Sequence, residues 1–216
     1  MNTQNESLQE LQHIKRMMER STRFSSLSGL SGIAAGVCGL IGFWMAVNTI
    51  AGWKRNHLDN LYASRDIVTD RLLIIALATF AAAALSSFIF VYRRCKKLDI
   101  PLLGVSARRV IINMAIPLFA GGLFILRLAT QGIFDLIAPA CLMFYGIALV
   151  NASKYTLEET RYLGYAEILI GIINLWILGY GLIFWAIGFG VMHIVYGIII
   201  WMKYENHPVE QYEELQ

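Results

Sequence analysis

From Phe24 to Gly52 the chain carries no charge. A helix crosses a bilayer core with roughly 20 consecutive apolar residues, and this run exceeds that length. Within it Ser25, Gly29, Gly32, Gly36 and Gly39 recur every three or four positions. At helical pitch they form one continuous stripe of small side chains. In a soluble helix each glycine would cost roughly 1 kcal/mol against alanine. In lipid the same stripe lets two backbones approach closely, and close packing is what holds membrane helices together. The stripe, with its Gly32-x-x-x-Gly36 step, is therefore a helix-packing surface, and Trp53 beyond it is an expected interfacial anchor.

Five further apolar runs follow. The expected spans cover about 27–52, 72–92, 109–127, 132–151, 162–178 and 182–202. Composition agrees. Of 216 residues, 57% are hydrophobic and 15% charged, whereas ordinary soluble domains are about 25% charged. The fold expected is all-α, a polytopic membrane helix bundle of six transmembrane helices with an N-terminal amphipathic cytoplasmic helix. Residues 1–24 form that amphipathic segment, 25–204 the transmembrane domain and 205–216 an acidic, solvated cytoplasmic tail. In the first segment Leu8, Leu11, Ile14 and Met18 recur at helical spacing. Such a helix either lies in the membrane plane as a docking arm or packs on the inner ends of the bundle. The segment has no apolar core of a signal peptide, so the first span reads as an uncleaved anchor.

Local signals refine the spans. Ala76, Ala83 and Ser87 give the second span a small face and make it the expected neighbour of the first. Leu58, Leu61 and Tyr62 suggest a short surface helix before it. Pro117 predicts a kink in the third span, and Pro139 lies inside the fourth. Thr156 and Glu159 have the spacing of a capping box for the fifth helix. Gly179-Tyr180-Gly181 is short enough to make the last two spans an antiparallel hairpin.

Orientation follows from the basic residues. With the N-terminus inside, thirteen of the 18 Lys and Arg residues fall in inside segments, the densest being Arg93, Arg94, Lys96, Lys97, Arg108 and Arg109. Five fall outside: Lys54, Arg55, Arg65, Arg71 and Arg127. Six spans with both termini cytoplasmic satisfy this distribution, and a bacterial inner membrane is the expected location. The net charge of +3 follows the loops and points to no nucleic-acid partner.

Ionisable groups at membrane depth are costly and are functional candidates by default. Glu167 and His193 each lie thirteen residues from Tyr180, which puts them at one level, about 20 Å from the hairpin. They can serve as a proton relay or ligand anchor, or as a hydrogen bond fixing the fifth helix against the sixth. Asn174, two turns from Glu167, together with Asn113, Tyr145 and Tyr196, supplies further polar atoms within the spans. Arg127 and Asp135 flank an outer turn and are expected to form an ion pair, either a gate or a structural contact reaching the headgroups.

Cys38, Cys95 and Cys141 are widely separated, two in spans and Cys95 in a cytoplasmic loop, so no disulfide is expected. Neither a metal-ligand spacing, nor a Gly-x-Ser-x-Gly, nor a nucleotide loop is present, so no metal, cofactor or catalytic residue is expected.

The stretches Glu19–Gly36 (ERSTRFSSLSGLSGIAAG), Asp135–Lys154 (beginning DLIAPA and ending LVNASK) and Gly188–Lys203 (beginning GFGVMHIVYG) resemble a family of small, uncharacterised bacterial integral membrane proteins. The resemblance implies six spans and supplies no activity. The leading expectation is a non-enzymatic scaffold, sensor or regulatory subunit. It would act within the lipid bilayer on a second copy of itself or on a membrane or cytoplasmic protein. The alternative is a small-solute or proton-linked transporter, or a substrate-binding membrane subunit, with a polar cavity around Glu167 and His193.

Overall fold

The computed structural model describes residues 28–56, 65–98, 102 and 104–206. The amphipathic segment, Ser25, the Leu58–Tyr62 element and residues 207–216 lie outside these. Six helices make up the fold, and no strand occurs among the described residues. They are α1 (Gly29–Asn56), α2 (Arg65–Lys97), α3 (Val105–Thr130), α4 (Ile137–Ala152), α5 (Glu159–Trp176) and α6 (Gly181–Tyr204). A 3-10 turn, Phe134–Leu136, leads into α4 and another, Ser153–Tyr155, leaves it. Inside α6 the residues Ala186–Met192 form a π-helix.

Among the described residues, five helices are long and apolar enough to cross a membrane. The exception is α5, because its 18 residues include Glu159, Arg161 and Glu167. Pro117 sits within a continuous α3. Pro139 falls in the first turn of α4, where a missing N–H costs least.

The helices are arranged around α6. Helix α2 packs on α1, α1 on α6, α6 on α4 and α5, and α3 on α4. The flanks are nearly bare. Only 6% of the apolar stretch of α2 is buried, and 6% of α3, against 44% for α4. Ile74, Leu77, Phe80, Ile116 and Phe119 all face outward. In water this apolar surface would be an aggregation hazard, and in acyl chains it costs nothing.

Helix α2 is the neighbour of α1 that its small residues led us to expect, but the glycine stripe itself meets α6. A Cβ built on Gly36 would lie 2.6 Å from the Gly190 carbonyl oxygen. One on Gly39 would lie 2.6 Å from that of Phe189, and one on Gly29 2.5 Å from that of Gly197. Helix α2 takes a second face of α1, where Gly42 meets Thr79 and Ser87 donates to the Ser31 carbonyl at 3.3 Å. Ala83 and Ser87 are half-buried there, whereas Ala76 is exposed. A second close seam joins α4 to α5. A Cβ on Gly146 would lie 2.6 Å from the Gly164 carbonyl oxygen, and the reciprocal distance is 2.8 Å.

One end of the bundle is tied by charge. Glu205 accepts a hydrogen bond from the Gly29 N–H at 2.6 Å and pairs with Arg94. A carboxylate at a helix N-terminus also complements its dipole. Glu205 thus belongs to the bundle and not to a solvated tail. Beside it, Lys203 donates to Glu159 at 2.5 Å and Tyr204 at 3.1 Å. Glu159 is consumed by these bonds, so the expected capping box with Thr156 does not form, and α5 starts without a side-chain cap. Partial burial pushes the Glu159 carboxyl up, but the bonds from Lys203, its own backbone N–H and Tyr204 outweigh it and hold the carboxyl below the ordinary range. Cys95, expected in a loop, is buried in the last turn of α2, and all three cysteines are free.

Candidate functional site

The hairpin between α5 and α6 sets the site. Gly179 turns the chain at φ +88°, a conformation that costs glycine nothing. The two helices then run back along each other, which brings equal distances from the turn to equal levels. Glu167 on α5 is fully buried and His193 on α6 nearly so. His193 Nδ1 lies 3.5 Å from Glu167 Oε1.

Nδ1 does not bond the carboxylate. It lies 3.0 Å from the Gly188 carbonyl oxygen, inside the π segment. A carbonyl only accepts, so Nδ1 carries the hydrogen. In the neutral ring Nε2 is then the acceptor for the Tyr145 hydroxyl, at 2.8 Å from α4. Tyr145 and Phe189 also stack on the imidazole, with centroids 5.4 and 6.0 Å away. Both nitrogens of the ring are satisfied, and its orientation is fixed by partners on α4 and on α6 itself.

Glu167 is the opposite case. Neither of its carboxyl oxygens has a hydrogen-bond partner. Leaving a buried polar group unpaired costs about 1–3 kcal/mol, and more for a charged one. The space around it is closed, since a Cβ on Gly188 would come within 2.5 Å of Oε2. A purely structural role calls for a hydrogen bond between α5 and α6, and this carboxyl makes none. The geometry leaves Glu167 as a carboxyl group poised beside a donor that is already engaged elsewhere.

The remaining candidates separate. Tyr196, one turn from His193, shares a hydrogen bond with Thr160 at 3.0 Å. Asn174 is fully buried but serves the hairpin, donating to the Ile177 carbonyl at 3.3 Å, and its Oδ1 has no partner. Asn113 belongs to a different contact. It donates to the Arg109 carbonyl at 2.8 Å, and its own carbonyl accepts from Asn151 on α4. Arg127 and Asp135 are both exposed, and they are absent from the ion pairs formed among the described residues. The site therefore contains Glu167, His193 and Tyr145, with Tyr196 alongside. Sequence reasoning missed Gly188, Phe189 and Thr160. A glycine in an apolar run and a lone threonine in a helix carry no functional signal in sequence.

No family model, curated protein or solved structure matches this chain.

Proposed function

We propose that the chain is a non-enzymatic integral membrane protein, a sensor or regulatory subunit, or a scaffold, acting through helix contacts. The observation that carries this reading is the buried Glu167–His193–Tyr145 cluster. It sits against the part of α6 on which α1 packs. A titratable pair inside lipid is retained at a cost in stability, so a role in responding to protons accounts for it better than cohesion does. That favours the sensor form, with a second copy or another membrane or cytoplasmic protein receiving the signal.

In this reading α5 is the sixth span. Eighteen residues at 1.5 Å each reach about 27 Å, close to the core thickness. The basic residues then place both termini on the cytoplasmic side of a bacterial inner membrane. The chain would stand with the small six-span membrane proteins that it resembles. The test is extraction of the tagged protein in a mild detergent. A stable complex, with itself or with one defined partner, is expected. A monodisperse monomer with no partner overturns the reading.

Proton-linked transport of a small solute is the second reading, favoured by the two unpartnered oxygens of Glu167. It requires that reconstituted vesicles acidify with solute movement and that Glu167→Gln abolishes this. Equal acidification by wild type and variant removes it.

A further inference from the structure

We propose that the π segment Ala186–Met192 of α6 is a proton-controlled register switch. When the Glu167–His193 pair takes up a proton, the Nδ1 hydrogen of His193 passes from the Gly188 carbonyl to Glu167, and α6 tightens from π to α against α1. This rests on the sensor reading above.

Single π turns are rare and cluster at functional sites. Here the π segment lies immediately before His193, and the His193 side chain bonds one of its carbonyls, that of Gly188, at 3.0 Å. A proton arriving from water at Nε2 makes both ring nitrogens charged donors. The Tyr145 hydroxyl then turns to accept from Nε2–H. Glu167, 3.5 Å from Nδ1, is the acceptor beside that charged donor, and in its carboxylate form a stronger one than a carbonyl. One proton enters and none leaves. Glu167 gains the partner it lacks, and Gly188 loses the side-chain bond that holds the wide turn.

The consequence reaches α1 directly. The carbonyls of Phe189 and Gly190, both in the π segment, are the surface on which Gly39 and Gly36 rest. Removing one residue from a 3.6-residue turn rotates one side of the helix by about 100° against the other. Lys203 and Glu205 anchor the far end of α6, so the rotation is taken up on the Gly181–Trp185 side. The other titratable groups at this level are few. Tyr145 faces the pair from α4, with Cys141 one turn along, and Tyr196 lies one turn away on α6 itself. From α5 the neighbouring polar group is Thr160, which is bonded to Tyr196. The α1 residues on this surface, Gly32, Gly36, Gly39 and Leu40, do not titrate.

The experiment is solid-state NMR of the full chain in bilayers, with carbonyl-labelled glycine and ring-labelled histidine, between about pH 5 and pH 8. It is paired with a spin-label distance between positions 44 and 183. The His193 nitrogens, the Gly188 carbonyl and the distance should all shift with one shared midpoint. In Glu167→Gln the carbonyl and the distance should lose their pH dependence. Tyr145→Phe, the second variant, should move the midpoint while keeping all three readouts in step. If wild-type His193 titrates while the Gly188 carbonyl and the distance stay constant, the switch is overturned and proton sensing stands. If His193 does not titrate in this range, both fall. Loss of step in Tyr145→Phe, or a full response in Glu167→Gln, also overturns the switch.

Discussion

The α1–α6 seam and the Glu167–His193 centre lie side by side, yet they are built on opposite principles. The seam is mostly backbone. Gly29, Gly36 and Gly39 press against the carbonyls of Gly197, Gly190 and Phe189. It contributes cohesion. The centre contributes little cohesion and leaves two carboxyl oxygens unpaired. Stability and response have thus been assigned to different residues, and single substitutions should separate them.

The largest effect is expected at the seam. Gly36→Leu would force a side chain into a space where even a Cβ is 2.6 Å from an oxygen. A loss of about 1–3 kcal/mol or more is expected, read as a lower melting temperature in detergent. Gly122→Leu is the control, because a Cβ there meets nothing within 4 Å, and its melting should not change. If both variants melt alike, the seam is not the cohesive element.

At the centre the sign should reverse. Glu167→Leu replaces an unpaired polar group by an apolar one of similar size and should leave stability unchanged or raise it by up to about 1–3 kcal/mol, read as an unchanged or higher melting temperature. A marked destabilisation would show that Glu167 is structural and would erase the contrast. Tyr145→Phe removes one interhelical hydrogen bond, and its expected cost is about 0.6–1.7 kcal/mol.

The smallest effect concerns the charged end. The Glu159 carboxyl is held below its ordinary value by Lys203 and Tyr204. Its stabilisation is therefore complete above the ordinary carboxylate pKa of about 4.3. It is lost as pH falls from there through the lowered value of the folded state. Lys203→Met should flatten that acid limb in a melting series by lowering the melting temperature slightly at neutral pH and leaving the acid end unchanged.

Much of the fold was legible because hydropathy in lipid is a strong signal. The runs expected at 72–92 and 182–202 lie inside α2 and α6; α6 extends only one or two residues further at its ends, and α2 five to seven. Partner choice was not legible. A small-residue stripe says that something approaches closely, and both α2 and α6 offer small residues to α1. The deciding clue, Gly190 and Gly197 seven residues apart, is visible only once the stripe is known to need a partner. The shared level of Glu167 and His193 was readable because a tight hairpin converts counting into distance. The π turn was not readable, since the bond between the His193 imidazole and the Gly188 carbonyl five residues earlier in the same helix leaves no mark in the hydropathy pattern. Nor was the fate of Glu159, where two residues of α6 outcompete a local threonine.

The bonds of Glu205 carry a consequence for biosynthesis. The start of α1 and the end of α2 are latched by a residue made more than a hundred positions later, and the glycine face of α1 waits for the same late helix. During synthesis these latches stay open until the last helix has been made, whereas the contact of α1 with α2 needs no later helix.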